Sequence, residues 1–437
     1  MKSKKFIPLL IPLIMVLMWV ISFNNVFEYN TSVSAEYNNH IKSAEQYLEK
    51  DIVIDAIAEY QKALTIKKDD YDTAMKIAEL YGKLDDKSSQ LSAYKTAMES
   101  DKTKIEPCLI LADYYMELNN LSEAYGILSD ADKYIDSDEI DKRILEIKSK
   151  YHTSSIKYDK LMPYFYLNNS STGYAIVEDD GKKGLLSTSG GLTVKCSYDD
   201  VGIYSDYVAP VKKDGQWYYI NIKGYKKLVP DEPMDYLGAF SGGYAAAKKG
   251  DVYGYIDKKM KEHHFEFEFA GGFCNGVAAV KKNGKWALMN TSFKTVTNYE
   301  FDDILLNEYG YCSEYSAIFA KKDGSYFLYD TSGKCLSEGY DEAKLFASKE
   351  PAAVKKNGKW GYIDNKGKVA IEPMYENADS FSLGYAPFYR NGKWGCIDKN
   401  GNVLIEPQFD SLKPFFKNGN AIVVEKGVTK FLTVTIY

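Results

Sequence analysis

Arginine is nearly missing from this chain of 437 residues, since Arg143 and Arg390 are the only two among 55 basic residues. Arginine is the side chain best suited to hold phosphate groups through paired hydrogen bonds. The formal net charge is −6, and no segment is strongly basic. Nucleic-acid binding, which needs a concentrated basic surface, is therefore disfavoured.

Cysteine and histidine are scarce and scattered, with six and four copies. No CxxC pair occurs, so the spacing predicts neither a disulfide framework nor a zinc cluster. The stretch EHHFEFEF places Glu262, His264, Glu266 and Glu268 on one strand face. One isolated strand rarely supplies a full set of metal ligands, so we interpret it as a polar outer face and predict no metal site and no cofactor.

Motifs for catalysis are absent as well. The chain has no GxSxG and no GxxxxGK[ST], the patterns that expose a nucleophilic serine or cradle a phosphate. Many Asp and Glu residues recur with the repeats described below, which favours a role in the turns of each unit over one shared reaction. No catalytic residue is therefore predicted.

Long apolar runs are limited to one, from Phe6 to Phe23, and three lysines precede it. Its length is near the minimum that spans a bilayer, and the lysines favour the cytoplasmic side. We therefore predict a membrane anchor within residues 1–35, with the N-terminus cytoplasmic and the bulk of the chain extracytoplasmic, at the cell surface. The alternative is a signal peptide cleaved after Ala35, which would make the protein secreted.

Residues 36–152 contain a helical repeat with a period of about 34 residues. In AIAEYQKA, the spacing of Ala56, Tyr60 and Ala63 places them on one helix face. Similar alanines and aromatics recur in two further units. The pattern resembles the tetratricopeptide repeat, from which it departs at Gln90, where a small residue is usual. A cap helix is predicted to end the array at residues 138–151.

A different repeat occupies residues 153–437. Its units are marked by a residue pair that recurs at nearly regular intervals. The pairs are Lys183-Gly184, Trp217-Tyr218, Tyr253-Gly254, Trp286-Ala287, Tyr326-Phe327, Trp360-Gly361 and Trp394-Gly395. A strand-like segment and a two-residue turn such as Asn357-Gly358 precede the marker, which indicates a β-hairpin.

Within a unit, different residue types have different structural roles. In KWGYID, alternation places Trp360 and Tyr362 on one face and Gly361 on the other. A glycine there lets a neighbouring backbone or ring approach closely. We interpret six residues as structural repeat positions: Trp217, Trp286, Trp360, Trp394, Gly361 and Gly395. Ligand-binding residues are unknown, and the first place to seek them is where copies differ, as at Tyr362 against Cys396.

The unit GKWGYIDNKGKVAIEP resembles the WG repeat of bacterial proteins, also called the KWG repeat. The resemblance covers about two-thirds of the chain and is degenerate at Lys183 and Tyr253, which replace tryptophan. It implies a repeat domain that is common in surface or membrane-linked proteins. It carries no catalytic residues with it.

The predicted fold class is α+β with several domains. An N-terminal transmembrane helix (1–35) precedes a tetratricopeptide-like helical solenoid with its cap (36–152) and an all-β WG-repeat array of about seven or eight units (153–437). Three strands in each repeat is short for a propeller blade of about 40–45 residues. The array is either a propeller-like ring, which we favour, or an open β-array.

The function predicted from these features is non-enzymatic. A membrane-anchored extracytoplasmic repeat protein would bind a protein or peptide partner, with a cell-wall glycan as a further ligand class, and would act as a scaffold. The first alternative is an enzyme or enzyme subunit that cuts cell-wall glycan with a pair of loop carboxylates. The second is a purely structural surface spacer.

Overall fold

The computed structural model describes residues 31–162, 173–313 and 315–435. The chain divides into two compact units, one ending at Ile147 and one beginning at Lys148. This division falls before the predicted limit at residue 152, because Tyr151–Ser155 form a strand of the second unit.

Seven helices build the first unit within the described residues. Helix α1 covers residues 31–49. The others are α2 (Val53–Ile66), α3 (Tyr71–Lys83), α4 (Lys87–Ser100), α5 (Glu106–Glu117), α6 (Leu121–Ala131) and α7 (Asp138–Lys148). Helices α2, α4 and α6 begin at Val53, Lys87 and Leu121, so their starts are evenly spaced along the chain.

Caps and small core residues explain these helices. The side chains of Asp70, Asp86 and Asn120 accept hydrogen bonds from backbone N–H groups at the starts of α3, α4 and α6. Such caps satisfy donors that a helix start leaves unpaired. Ala63 and Ala97 are fully buried, and their small size lets neighbouring helices pack closely. Membership of this unit in the tetratricopeptide family stays a prediction.

The structure corrects the prediction of a membrane anchor. Across the described ranges, no helix is long and apolar enough to cross a membrane. Helix α1 carries Glu36, Lys42 and Glu45, and charged side chains are costly inside a bilayer. The transmembrane helix in the predicted fold class and the predicted membrane-anchored, extracytoplasmic localisation are therefore wrong. The run Phe6–Phe23 itself lies outside the described residues.

The second unit is an eight-bladed β-propeller. Blades 1 to 4 contain β2 (Lys160–Leu161), β3 (Tyr174–Asp179), β4 (Lys182–Ser187) and β5 (Leu192–Tyr198); β6 (Asp200–Val201), β7 (Ala209–Lys213), β8 (Gln216–Ile220) and β9 (Lys226–Leu228); β10 (Tyr236–Leu237), β11 (Tyr244–Lys249), β12 (Val252–Asp257) and β13 (Glu262–Phe267); and β14 (Phe269–Ala270), β15 (Val277–Lys282) and β16 (Lys285–Asn290). Blades 5 to 8 contain β17 (Asp303–Ile304), β18 (Ala317–Lys322) and β19 (Ser325–Asp330); β20 (Glu342–Ala343), β21 (Ala352–Lys356), β22 (Lys359–Ile363) and β23 (Val369–Tyr375); β24 (Asn377–Ala378), β25 (Ala386–Arg390), β26 (Lys393–Ile397) and β27 (Val403–Phe409); and β28 (Ser411–Leu412), β29 (Asn420–Glu425), β30 (Val428–Val434) and β1 (Tyr151–Ser155).

The two ends of this unit close the ring. Strand β1 pairs antiparallel with β30, beginning with Tyr151 opposite Val434. Blade 8 therefore combines one N-terminal strand with three C-terminal strands. Of the two architectures that the repeat pattern left open, the closed ring is the one observed.

Blade 6 illustrates how one repeat folds. Asn357 and Gly358 have φ angles of 52° and 76°, which is the backbone that a tight hairpin turn requires. They join β21 to β22, and the register between β22 and β23 then shifts beside Gly361. A Cβ added to Gly361 would lie 2.6 Å from the carbonyl oxygen of Ile371. Glycine is therefore needed where the shifted strand approaches.

Buried tyrosines of the third strands connect some blades to the next. The hydroxyl of Tyr219 in blade 2 donates to the carbonyl oxygen of Gly238 in blade 3 at 2.9 Å. The hydroxyl of Tyr255 in blade 3 donates to the carbonyl oxygen of Gly271 in blade 4 at 3.0 Å. Both tyrosines are fully buried, and a buried hydroxyl needs such a partner.

Candidate functional site

Eight equivalent positions surround the axis of the ring. In every blade the residue after the first strand donates its backbone N–H to a carbonyl oxygen of the second strand. We call them the axial positions: Met162, Gly202, Gly238, Gly271, Leu305, Lys344, Asp379 and Lys413. The axial residues of blades 1 to 4 line one common cavity, so the first strands of these four blades lie side by side along one part of the axis.

This cavity has a volume of about 350 Å³. Its wall is rich in aromatic rings, those of Trp217, Tyr236, Tyr253 and Phe269. Residues 308–311 of blade 5 complete the lining. In the part of the chain that the structure describes, blades 6 to 8 contribute no lining residue, so the cavity occupies one side of the ring.

The segment from blade 5 is a tight turn, Asn307 to Tyr311, which we call the axial turn. The side-chain oxygen of Asn307 accepts backbone N–H groups of Tyr309 and Tyr311, both at 3.0 Å. Asparagine side chains stabilise turns in this way. Tyr311 is buried, and a Cβ added to Gly272 would lie 2.4 Å from its ring. This glycine therefore makes room for the turn.

Five rings follow one another from blade 2 to blade 4. Neighbouring centroids are 5.7, 6.4, 5.3 and 5.2 Å apart, which lies within the range of favourable aromatic contacts. We call them the aromatic arc, which in order contains Trp217, Tyr236, Tyr253, Phe269 and Trp286. The arc alternates between third-strand and first-strand residues, and in this way it crosses from blade to blade.

In four consecutive blades, 3 to 6, a lysine lies over the aromatic first residue of the marker pair, which we call the marker residue. The pairs have distances of 5.4–5.7 Å from Nζ to the ring centroid, and they are Lys248–Tyr253, Lys281–Trp286, Lys321–Tyr326 and Lys344–Trp360. Among the described residues, no lysine lies over the ring of Trp217 in this way, although Lys212 is its partner across the strands, as Lys248 is the partner of Tyr253. Trp217 is thus the marker residue of the arc that has no cation over its ring.

Trp217 also has an unused hydrogen-bond donor. Its side chain is 6% exposed, and its indole N–H is buried with no partner among the residues that the structure describes. Buried donors are nearly always paired, so an exception at the wall of a cavity needs an explanation. Because the N–H itself is buried, it is not reached from the cavity unless the surrounding side chains move.

Three charged residues line the cavity within the described ranges. Lys183 and Asp200 form an ion pair at 2.7 Å, and their charges offset each other. Glu308 is an exposed residue of the axial turn, so the lining keeps one uncompensated negative charge. Burial raises the pKa of Tyr236 to about 12, and its phenol therefore stays neutral at physiological pH.

The opposite half of the ring has a different axial surface. Blades 6, 7 and 8 carry Lys344, Asp379 and Lys413 at the axial positions, where blades 2 to 4 have glycine. Burial raises the pKa of the Asp379 carboxyl, although the backbone N–H of Ser380 and both lysines act in the lowering direction. Polar and charged groups therefore face the axis on this side.

The four predicted tryptophans lie in both halves. Trp217 lines the cavity, whereas Trp286 is the last ring of the aromatic arc and does not line the cavity. Trp360 is buried in blade 6, and Trp394 of blade 7 packs against Tyr389 with centroids 5.3 Å apart. The marker position therefore lines the cavity in blades 1 to 3, where it is Lys183, Trp217 and Tyr253, and lies away from the cavity in blades 4, 6 and 7.

The two predicted glycines contact the fourth strand of their own blade. Gly395 repeats the geometry of Gly361, with the carbonyl oxygen of Ile405 at 2.3 Å from an added Cβ. Tyr362 and Cys396, the differing pair chosen from the sequence, are fully buried away from the cavity. The difference between Tyr362 and Cys396 therefore concerns packing within the ring. The repeat positions that differ at the cavity are other ones.

The acidic stretch at residues 262–268, which follows β12 in blade 3, pairs with groups of the neighbouring blade 4. Glu266 pairs with Lys282 at 2.6 Å, and Glu268 accepts the backbone N–H of Gly284 at 3.1 Å. Outside the undescribed segments, no three His, Cys, Asp or Glu side chains are grouped to hold a metal ion.

The helical unit has a separate groove of about 630 Å³. Residues of α2, α3 and α4 line it, and hydroxyl groups are frequent among them. The hydroxyl-bearing residues are Thr65, Tyr81, Ser89, Ser92 and Thr96. Such a surface offers hydrogen bonds to a peptide backbone without a strong charge preference.

Sequence reasoning missed Tyr236, Phe269 and the axial turn. Tyr236 and Phe269 begin the first strands of their blades, where blade 2 has Asp200 and blade 8 has Ser411. A comparison of copies at this position would have found them. The axial turn has a signal in the spacing, because the interval between the markers Trp286 and Tyr326 is the longest in the array.

The comparison with known families identifies the repeat. A family model described as a WG containing repeat matches residues 184–217, 253–286, 326–360, 360–394 and 394–428. The second unit therefore carries WG-containing repeats. No curated protein matches the chain.

Solved structures resemble the chain only distantly. "Crystal structure of the eukaryotic initiation factor" has a TM-score of 0.40 at 14% identity and covers 58% of this chain and 78% of that one. "KlHsv2 with loop 6CD replaced by a Gly-Ser linker" has a TM-score of 0.36 at 10% identity, covering 55% and 92%. Kluyveromyces lactis Hsv2 has a TM-score of 0.32 at 9% identity, covering 63% and 97%. Likeness at this level supports no conclusion about function.

Proposed function

We propose that this WG-repeat protein is a non-enzymatic binding and scaffolding protein whose propeller cavity recognises a protein or peptide partner. The observation that supports the proposal is the one-sided aromatic cavity, at which the repeats depart from their own pattern. Aromatic rings with a few polar groups are the usual lining of a recognition site. Blades that serve only to close a ring have no need of this asymmetry.

The helical unit supports the scaffolding part of the proposal. Its groove between α2 and α4 belongs to one compact unit, and the propeller cavity belongs to the other. Two separate recessed surfaces on one chain allow two partners, or two parts of one partner, to be held together. Linked sites of this kind raise the effective concentration of one partner near the other.

Recognition is favoured over the cell-wall glycan enzyme by the state of the carboxylates. A glycosidase needs two carboxyl groups roughly 5–10 Å apart, one of them acting as an acid. The described lining of the cavity has two carboxylates, Asp200 and Glu308, and Asp200 is held by Lys183 at 2.7 Å. The ion pair engages this carboxylate, so Glu308 is the one unpaired carboxylate of the described lining.

The test uses the full-length chain with a photo-crosslinking amino acid, p-benzoylphenylalanine, in place of Tyr309. This residue lines the cavity, and the exchange keeps an aromatic ring there. The matched control carries the crosslinker in place of Tyr225, which is 66% exposed and does not line the cavity. Irradiation in a lysate of the source cells should give protein adducts of defined mass at position 309 that position 225 lacks.

Excess unlabelled full-length chain should remove these adducts, since it competes for the same partner. If both positions give the same adducts, or neither gives any, the cavity is not where a partner binds. The structural spacer would then be the better description of the protein.

A further inference from the structure

The geometry points to an alkylammonium group as the chemical feature that the cavity recognises. It is carried either by a lysine side chain of a protein partner or by a small quaternary ammonium compound. This inference rests on the proposed function and names the ligand chemistry of the same cavity. Four observations on the propeller support it.

The first observation is that other marker rings of the propeller have a cation over them. In blades 3 to 6, a lysine ammonium of the chain lies 5.4–5.7 Å from the centroid of the marker ring. Cations are attracted to aromatic faces, and tryptophan provides the strongest attraction. The backbone geometry of a blade is therefore compatible with a cation over this position, since the molecule itself forms that contact four times.

The second observation is that Trp217 keeps the ring and lacks the cation. Its neighbour in the arc is Tyr236, at 5.7 Å between centroids and 72° between planes. Two rings at a steep angle form a corner, and aromatic corners are the sites that hold ammonium ligands. Of the marker rings in the arc, Trp217 and Tyr253 line the cavity, and Tyr253 already has Lys248 over it.

The third observation is the balance of charge. Lys183 could repel an incoming cation, but Asp200 pairs with it at 2.7 Å. The carboxylate of Glu308 then remains as the uncompensated charge of the lining, and its sign attracts an ammonium group. In a partly enclosed site this attraction is stronger than it is at an open surface.

The fourth observation is the size of the cavity. The cavity of about 350 Å³ lies near the lower limit for ligand sites, which suits one side chain or one small molecule better than an oligosaccharide.

The test is isothermal titration calorimetry with the full-length chain and paired probes. Choline is compared with 3,3-dimethyl-1-butanol, a neutral compound of the same shape. Nα-acetyl-lysine N-methylamide is compared with its norleucine analogue, and chitotetraose represents glycan. At least one ammonium probe should bind about tenfold more tightly than its neutral counterpart.

Variants then locate the binding. Trp217→Phe should weaken binding of the ammonium probe about fivefold, because phenylalanine attracts a cation less strongly than tryptophan does. Trp394→Phe is the matched control, since Trp394 is the marker of blade 7 and does not line the cavity, and its affinity should stay within about twofold. Glu308→Gln should weaken binding about threefold, and this exposed exchange leaves the fold intact. Circular dichroism and a melting curve check the fold of each variant.

The two sources of ammonium are separated by the same titrations. Tighter binding of choline assigns the site to a free quaternary compound, and tighter binding of the lysine amide assigns it to a protein side chain. Either result upholds the inference. Equal affinity for charged and neutral probes, binding of chitotetraose alone, no binding of any probe, or an equal loss in the two tryptophan variants would overturn it. If the crosslinks at position 309 persist in that case, only the ligand chemistry has failed, and the proposed function stands.

Discussion

Blades 2 to 4 and blades 6 to 8 have the same backbone hydrogen bonds around the axis. They differ in the side chains at those positions, which are absent in the first group and charged in the second. In the first group the axial positions are Gly202, Gly238 and Gly271. In the second group they are Lys344, Asp379 and Lys413. The glycine half leaves space for the axial turn and the aromatic cavity. The charged half contributes no residue to the lining of this cavity.

The contrast between the two halves indicates which positions of a repeat ring can carry function. Residues that form hairpins or fill space between blades are needed in each unit, so they change little from copy to copy. The axial position, in contrast, holds residues as different as glycine, Leu305 and Lys344, so it is free to change. Function is therefore expected at the axial and first-strand positions, where the two halves diverge.

The largest expected effect comes from filling the glycine half. Gly271→Ala would put a Cβ 2.5 Å from the carbonyl oxygen of Gly310, so the axial turn or β14 must move. We expect the free energy of unfolding to fall by roughly 1–3 kcal/mol, as overpacking usually costs. Urea unfolding of the full-length chain measures it.

Two controls bracket this variant. Lys344→Ala in the other half should cost at most about 1 kcal/mol, the size of one cation–aromatic contact. Gly191→Ala should be neutral or stabilising by up to about 1 kcal/mol, because a Cβ there meets only the Ser187 hydroxyl at 3.5 Å. Equal losses for Gly271→Ala and Lys344→Ala would mean that the two halves do not differ in packing.

A medium effect is expected where blades are joined by tyrosine hydroxyls. Tyr219→Phe removes a buried hydrogen bond of 2.9 Å to Gly238 and should lower the free energy of unfolding by about 1–1.5 kcal/mol. Tyr362→Phe in the charged half removes a contact of 3.4 Å to Pro387, which is long for a hydroxyl donor, and should cost about 0.5 kcal/mol or less. Thermal melts of both variants decide the order, and a larger loss for Tyr362→Phe would contradict the assignment of the stronger joint to blades 2 and 3.

The smallest effect concerns the pH dependence of the charged half. Burial raises the pKa of Asp379 in the folded protein, so the folded state binds more protons than the unfolded chain between the ordinary pKa of aspartate and the raised one. Stability should therefore fall as pH rises through that interval. Asp379→Asn should remove this fall and make the protein slightly more stable at neutral pH. Denaturation midpoints measured from pH 3 to pH 8 test the sign, and a variant that is less stable at neutral pH would contradict it.

Much of the propeller could be predicted because its signals are local. The turn at Asn357 and Gly358 needs two residues that accept positive φ, and both are read directly from the sequence. The spacing of markers predicted about seven or eight units, and the ring has eight blades. The helical period is likewise visible in the even spacing of the starts of α2, α4 and α6.

The candidate site was harder to predict, because its parts come from distant places in the chain. Lys183, Tyr236 and Tyr309 lie in three different repeats and meet only around the axis. Nothing in the neighbourhood of Tyr236 distinguishes it from a core tyrosine. The membrane anchor was predicted from the apolar run Phe6–Phe23 and the lysines before it, and the described helices, with their charged side chains, do not bear it out.

The repeat unit is encoded locally: tryptophan fills space, glycine leaves room for a neighbouring strand, and asparagine with glycine forms the turn. These residues act over short distances along the chain, so their pattern is visible in the sequence. The closure of the ring through Tyr151 and Val434, and the side from which the axial turn of blade 5 enters, are visible only in the folded protein. Closure depends on backbone hydrogen bonds, which carry no residue code. The position of the cavity depends on which side chains remain facing the axis after every blade has formed.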